Sequence, residues 1–350
     1  MAFSAGSQAF MQRLGLALPV IQAPMAGSQD GALAAAVAVA GGLGSLPGAA
    51  LAPAALRDEA ARVREGGRPV NLNFFAHAAP EPDAQREAAW RAALRPYYDE
   101  FGLDQAAIPS GPGRLPFGED AAELIEALRP DVVSFHFGLP VPALLARVRA
   151  AGAQVWSTAT TLDEARWLEA HGVDAVIAQG AEAGGHRGMF LTDDVRTQIG
   201  TTALVSQIVA AVRVPVIAAG GIANAKDTAA MLALGAVAVQ VGSAFLLCPQ
   251  ATTTAVHRAA LASPHAQQTA LTNLFSGRPA RGIVNRLMRE LGPLSTLPPA
   301  FPGAVNALAP LRAAAEKAGS GDFSPLWVGQ HAQGIEAIPA ADVVRRLFSA

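Results

Sequence analysis

Lysine and cysteine are almost absent from this sequence of 350 residues, and charged residues of any kind are few. Lysine occurs only as Lys226 and Lys317, so arginine supplies nearly all of the 26 basic residues. Charged residues make up 15% of the chain, the net charge is −2 and no basic cluster occurs, which argues against nucleic-acid or anionic-membrane binding. The single cysteine, Cys248, excludes a disulfide framework and a metal site built from thiolates.

Hydrophobic runs suited to crossing a membrane are also missing. Two stretches without charge, 31–56 and 228–257, are interrupted by glycine, proline or polar residues, so we interpret them as buried parts of a globular core. Residues 1–19 contain no basic segment that leads into an apolar run, so we expect a cytoplasmic protein without a leader. The oligomeric state stays open between monomer and homodimer.

Short apolar runs alternate with helical segments through the first 250 residues. Strands that are apolar on both faces, each followed by a helix, predict a parallel sheet covered by helices. Eight such units favour a (β/α)8 TIM barrel over an open doubly wound sheet, because the first turn lacks a dinucleotide-type glycine fingerprint. The predicted strands are 20–25, 44–46, 70–75, 132–138, 154–159, 175–179, 215–220 and 236–242.

Two regions do not follow this repeat. Residues 76–118 hold both tyrosines and end in a stretch rich in proline and glycine, so we interpret them as a flap inserted into a barrel domain of residues 1–249. Residues 250–350 are predicted to be helical and loop-like, to cover the active site at one end of the barrel, and to finish with a helix near 340–347.

The predicted strand ends carry amides, histidines and glycines, but neither clustered carboxylates nor a His-x-His spacing, so we expect no metal. Because the strand ends carry so few fixed charges, we expect an organic cofactor to carry out the chemically difficult step of the reaction.

Glycines follow the seventh and eighth predicted strands, at Gly220-Gly221 and Gly242. They would let backbone N–H groups approach a phosphate, although they could also serve only tight turns.

Two histidines are candidates for proton transfer. His186 lies in the segment 184–188 (GGHRG), where glycines on both sides mean that the backbone places it. An imidazole titrates near neutrality and suits either proton transfer or stabilisation of an anion. His136 alternates with Phe135 and Phe137 on its strand, which is compatible with a group facing a pocket or with a core histidine.

Five segments stand out in order along the chain: 22–27 (QAPMAG), 71–75 (NLNFF), 135–138 (FHFG), 184–188 (GGHRG) and 275–282 (FSGRPARG). Together they resemble the nitronate monooxygenase family, formerly called 2-nitropropane dioxygenases, and its class I branch in particular. The resemblance extends from about residue 20 to the final helix.

The resemblance implies a barrel that binds FMN and oxidises alkyl nitronates with O2 to carbonyl compounds and nitrite through a flavin semiquinone, as a detoxifying enzyme. His186 carries over as the catalytic histidine and His136 as a second histidine of the pocket. The implied FMN contacts are Gln22, Ala23, Pro24 and Met25 at the flavin ring, Asn73 and Gln179 at its polar edge or ribityl chain, Gly184 close to the cofactor, and Gly221, Gln240, Val241, Gly242 and Ser243 at the phosphate.

The implied substrate is propionate 3-nitronate or a simple alkyl nitronate. Family members that process propionate 3-nitronate are expected to carry tyrosines and a lysine where this chain has Phe301, Val305 and Ala309. A substrate carboxylate buried there would lack a charged partner, so we expect neutral-tailed alkyl nitronates to compete well with propionate 3-nitronate. Two alternatives remain. One is a related flavin-dependent NAD(P)H reductase acting on enoyl-carrier-protein or quinone, and the other is a flavin-binding protein without catalysis.

Overall fold

The computed structural model describes residues 2–109, 111 and 113–349. Ser110 and Pro112 of the predicted flap lie outside the described residues, as do Met1 and Ala350 at the ends of the two predicted domains. The strands are β1 (Val20–Gln22), β2 (Gly44–Leu46), β3 (Val70–Phe75), β4 (Val132–His136), β5 (Gln154–Ala159), β6 (Ala175–Gln179), β7 (Gly185–His186), β8 (Val216–Ala219), β9 (Ala238–Val241), β10 (Thr269–Thr272) and β11 (Ala280–Ile283).

Eight of these strands form a (β/α)8 TIM barrel, which confirms the predicted fold. All are parallel and follow the ring order β1-β9-β8-β6-β5-β4-β3-β2. A parallel bridge between Ile21 and Leu43 joins β1 to the segment entering β2 and closes the ring. Every predicted strand is present, and its ends differ from the prediction by at most three residues. The agreement follows from burial on both faces, which gives continuous apolar runs.

Helices cover the outside of the barrel and the end where the strands finish. The helices are α1 (Ala5–Leu14), α2 (Gly31–Val39), α3 (Pro53–Arg64), α4 (Ala84–Glu100), α5 (Glu119–Leu128), α6 (Pro142–Ala150), α7 (Leu162–Ala170), α8 (Thr201–Ala211), α9 (Ala225–Ala233), α10 (Ala255–Leu261), α11 (Arg286–Leu291), α12 (Ala304–Lys317) and α13 (Ala340–Arg346). The predicted final helix corresponds to α13, which packs against α2 on the barrel. Among the described residues, no helix is long and apolar enough to span a membrane.

Side-chain caps fix where two helices begin beside the strand ends. The side chain of Thr161 accepts from the backbone N–H of Glu164 at the start of α7. The side chain of Asn224 accepts from the backbone N–H groups of Lys226 and Asp227 at the start of α9. Such caps satisfy N–H groups that have no partner within the helix. The cap at Asn224 therefore also fixes the position of Asp227 near the end of β8.

The predicted flap contains a 17-residue helix, α4, and packs against the C-terminal segment. The indole N–H of Trp90 donates to the carbonyl oxygen of Ala304 at 3.3 Å, and the Tyr98 hydroxyl donates to that of Ala307 at 2.8 Å. Together with Leu311 and Phe323, these aromatic residues form a second hydrophobic cluster, separate from the main core. The division into domains 1–249 and 250–350 stays a prediction.

The C-terminal segment also contains strands, which the sequence analysis did not predict. Strands β10 and β11 pair antiparallel, and β11 pairs with β7 in the loop after β6, so the small sheet has the order β10-β11-β7. With only two residues, β7 is too short to give a periodic signal, and its partner lies far away in sequence. This pairing positions the glycine-rich loop that carries His186.

Candidate active site

A cavity of about 320 Å³ opens at the C-terminal ends of the barrel strands. Loops from opposite sides of the ring and residues 301–331 of the C-terminal segment contribute to its walls. The predicted site residues that line it are Ala23, Pro24, Met25, Asn73, His136, Gln179, Gly184, His186, Gly221, Gln240, Val241, Gly242 and Ser243. The structure thus brings together all of the predicted positions except one.

Gln22 is the exception, because its side chain lies beneath the cavity and is fully buried. Its amide donates to Oε1 of Gln29 at 2.5 Å, and its Oε1 accepts from the backbone N–H of Ser45 at 3.1 Å. Gln29 in turn accepts from the backbone N–H of Met25 at 2.7 Å. The predicted contact of Gln22 with a flavin ring is therefore corrected to a supporting role: with Gln29, it holds the 23–25 loop from below.

His186 is placed by the small sheet, in which it pairs with Ala280 of β11. Its Nε2 lies 2.8 Å from the hydroxyl oxygen of Ser276. Burial holds the pKa of His186 well below its ordinary value, and the positive charges of Arg114 and Arg278 lower it further. The imidazole is therefore neutral at physiological pH, so it suits the role of a base rather than that of a cation.

His136 also lines the cavity, but both of its ring nitrogens are bonded to protein atoms. Nε2 donates to the carbonyl oxygen of His186 at 3.1 Å, since that oxygen can only accept, and Nδ1 lies 3.1 Å from Oγ1 of Thr158. Burial lowers the pKa of His136 to about 4. This geometry favours a role in positioning the His186 backbone over the predicted catalytic role.

Gln179 and Arg187 fix the same loop from two other directions. The amide of Gln179 donates to the carbonyl oxygen of His186 at 2.9 Å, and its Oε1 accepts from the backbone N–H of Gly188 at 2.8 Å. The fully buried guanidinium of Arg187 donates to the carbonyl oxygens of Gln179 and Gly180 at 2.6 Å each. These contacts hold the loop rigid around His186, so Gln179 has a structural role in addition to lining the cavity.

The loops after β8 and β9 offer backbone to the opposite end of the cavity. Gly221 adopts a left-handed φ of +70°, and Gly242 follows β9 directly. Near them, Oε1 of Gln240 is buried and has no hydrogen-bond partner among the described residues. A buried acceptor without a partner costs free energy, so it indicates a donor supplied by a ligand. These residues fit a polar group bound between the two loops.

Gly184 lines the cavity, but its lack of a side chain has a second cause. A Cβ at Gly184 would lie 2.5 Å from the carbonyl carbon of Val328. The backbone of Val328 and Gly329 passes directly over this position, so close backbone packing within the protein already requires a glycine here. The predicted close approach of Gly184 to a cofactor is not needed to explain it.

Two arginines on the wall were missed by the sequence analysis. Arg114 comes from the predicted flap and Arg312 from α12, and both line the cavity beside Phe301 and Val305. Arg312 pairs with Glu316 at 2.7 Å, whereas burial and the charge of Arg312 lower the pKa of Arg114. A substrate carboxylate in this cavity would therefore have arginines on the wall, contrary to the expectation that it would lack a charged partner. Nothing local in the sequence could have revealed it, because Arg114 and Arg312 are far apart along the chain.

Ser276 and His331 are two further residues of the site that sequence reasoning did not single out. Ser276 lies within the 275–282 segment, so the family resemblance could have indicated it. His331 lies outside all five segments. Among the described residues, no group of three or more His, Cys, Asp or Glu side chains could hold a metal ion.

Comparison with known proteins agrees with this geometry. The family model described as nitronate monooxygenase matches residues 8–349. A nitronate monooxygenase of Pseudomonas aeruginosa is 43% identical over 345 residues, which cover 97% of each protein, and one of Paraburkholderia phytofirmans is 41% identical over 347 residues, covering 98% of this chain and 94% of the relative. The crystal structure of a nitroalkane oxidase from Streptomyces ansochromogenes superposes with a TM-score of 0.87 at 39% identity, covering 97% of this chain and 96% of that one.

Proposed function

Because the chain belongs to the nitronate monooxygenase family, we propose that this oxidoreductase uses FMN and O2 to oxidise alkyl nitronates to carbonyl compounds and nitrite. One observation supports this proposal more than any other: a neutral imidazole, that of His186, lines the same cavity as Arg114. A base and a cation in one cavity suit a substrate that is an acidic nitroalkane in one form and an anionic nitronate in the other.

The cavity residues fit a flavin mononucleotide. Residues 23–25 and Asn73 offer a mixed apolar and polar wall for the ring, and the buried Oε1 of Gln240 lacks a donor. Backbone at Gly221, Gly242 and Ser243 would hold the phosphate at the loops where this fold commonly binds one. When bound, FMN supplies the redox chemistry that amino-acid side chains lack.

The protein's own contribution is to bind the anion and to control one proton. We assign Nδ1 of His186 as the base for the α-proton of a neutral nitroalkane, with Ser276 holding the opposite ring nitrogen. The guanidinium of Arg114 would stabilise the negative charge of the nitronate in a partly buried site, where screening by water is weak. His136 and Gln179 hold the backbone of His186 in place.

A spectroscopic experiment tests the cofactor. The purified protein should be yellow, and heat should release FMN that can be identified by chromatography. A colourless protein that does not take up added FMN would contradict the proposal.

A second experiment separates the proposal from the reductase alternative. NADH or NADPH is added anaerobically and the flavin absorbance is followed. We expect slow or no bleaching, because no step of nitronate oxidation uses a nicotinamide. Rapid bleaching would favour a reductase acting on enoyl-carrier-protein or quinone.

A further inference from the structure

Residues 328–331 run along the cavity and are bonded to two loops of the barrel. The backbone N–H of Gly329 donates to Oγ of Ser243 at 2.9 Å, and that of Gln330 donates to the carbonyl oxygen of Glu182 at 2.9 Å. A Cβ at Gly329 would lie 2.8 Å from the same carbonyl oxygen. The segment is thus fixed between the loops after β6 and β9, and the residue that follows Gln330 has a defined position.

That residue is His331, which lines the cavity next to the loop after β8. Its Nδ1 lies 3.1 Å from the carbonyl oxygen of Gly221 and 3.1 Å from Oδ2 of Asp227. Both oxygens can only accept from it, so Nδ1 carries a proton. Asp227 is itself fixed, because its Oδ2 also accepts from the backbone N–H of Ala223 at 2.9 Å. Two acceptors therefore orient the ring and leave Nε2 for the cavity.

The charges on the wall are distributed unevenly. The side chains of the described lining residues that can be positively charged are those of Arg114, His136, His186, Arg312 and His331. Arg114 lies over the ring of Phe75, at the end of β3, at 5.8 Å from the ring centroid, and β3 is opposite β8 in the ring of eight strands. Arg312 acts electrostatically on Arg114 and so belongs to that same end. His331 is the one group of this set that contacts the loop after β8.

We propose that His331, oriented by Asp227, donates a hydrogen bond from Nε2 to the phosphate of FMN. The loops at Gly221 and Gly242 offer backbone N–H dipoles, and the ring of His331, held at Nδ1 by Gly221 and Asp227, adds a side-chain donor next to them. The combination gives the phosphate a side-chain donor in addition to backbone N–H groups. This inference rests on the proposed function, because it requires FMN as the ligand.

Binding of two flavins to the full chain, after removal of any bound flavin, tests this role. FMN and riboflavin differ only in the phosphate, and quenching of flavin fluorescence gives a Kd for each. A hydrogen bond to a charged phosphate is worth enough that His331→Ala should raise the Kd of FMN about 10- to 100-fold. The Kd of riboflavin should change by less than about threefold, which also shows that the variant is folded.

Two further variants complete the design. His265→Ala removes an exposed histidine outside the cavity and should leave both Kd values unchanged. Asp227→Asn should raise the Kd of FMN more than that of riboflavin, but its effect on the Kd of FMN should be smaller than that of His331→Ala. Equal weakening of both flavins by His331→Ala, or no change in either, would overturn the role of His331 while leaving an FMN enzyme in place. A wild-type chain that binds neither flavin would overturn the proposed function, and the inference with it.

Discussion

The Nε2 atom of His186 lies 2.8 Å from Oγ of Ser276, which joins the loop after β6 to the segment after β10. The Ser276 hydroxyl also lies 3.3 Å from the carbonyl oxygen of Arg278, which can only accept. With the hydroxyl proton directed there, Ser276 accepts from Nε2–H of His186. The neutral ring then presents Nδ1 as its basic atom, which is the arrangement required of a base.

The first prediction concerns this base. His186→Asn should lower kcat/KM for a neutral nitroalkane about 100- to 10,000-fold, the usual contribution of a general base. A nitronate prepared in advance needs no deprotonation, so its kcat/KM should fall much less. Initial rates with nitroethane and with its nitronate check this, and His265→Asn serves as the matched control. Equal losses on both substrates would show that His186 does not act as the base.

The second prediction concerns Ser276, which holds the ring. Ser276→Ala should lower kcat/KM for nitroalkanes about 10- to 100-fold, because the imidazole loses the partner that fixes its orientation and tautomer. The effect should again be smaller with a nitronate prepared in advance. Unchanged rates on the nitroalkane would mean that other contacts suffice to orient His186.

The third prediction concerns pH and stability. Burial lowers the pKa of His77, His136 and His257 to about 4 each, well below the ordinary value of 6.5. Between pH 6.5 and 4, the unfolded chain therefore binds protons that the folded chain does not. The stability that these neutral histidines contribute is present above pH 6.5 and is lost as the pH falls through that window, by up to ~1.4 kcal/mol per pH unit for each group. Urea unfolding at pH 7, 6 and 5 measures this, and a free energy of unfolding that rises towards pH 5 would contradict it.

The fourth prediction concerns the substrate tail. Arg114 gives the cavity a cation, so Arg114→Gln should lower kcat/KM for propionate 3-nitronate about tenfold more than for ethyl nitronate. Arg13→Gln, an exposed change on α1, should alter neither value. If the two substrates respond equally to Arg114→Gln, the arginine does not contact the carboxylate, and the sequence-based expectation that neutral-tailed nitronates compete well with propionate 3-nitronate would stand.

The fifth prediction uses two glycines in the same backbone conformation. Gly221 has a φ of +70° and lines the cavity, whereas Gly67 has a φ of +74° with nothing within 4 Å of a Cβ built on it. Gly221→Ala and Gly67→Ala should each lower the free energy of unfolding by about 1–2 kcal/mol. Gly221→Ala alone should also lower FMN occupancy, measured as flavin per chain. Full occupancy in Gly221→Ala would place the phosphate elsewhere.

The sequence predicted the barrel well, because its strands are short apolar runs between helices and both signals are local. It did not predict β7, β10 and β11. The pairing of β7 with β11 joins residues 94 positions apart, such as His186 and Ala280, whereas β10 and β11 form a local pair in a segment that was interpreted as helical and loop-like. Long-range contacts also limited the prediction of the site. His186 could be found from the glycines on both sides of it in the sequence, whereas Arg114 and His331 reach the cavity only through packing of the flap and the C-terminal segment. The predicted contact of Gln22 with a flavin ring was wrong for a different reason. A sequence motif identifies a position in the chain, but it does not show which groups a buried side-chain amide hydrogen-bonds.

Nitrite release tests the central claim most directly. Purified protein, as isolated and without any nicotinamide, is mixed with ethyl nitronate in air-saturated and in anaerobic buffer, and nitrite and O2 are measured together. We predict nitrite formation with O2 consumption in air, and no sustained nitrite formation without O2. Oxygen consumption without nitrite, or turnover that depends on added NADH or NADPH, would contradict the account.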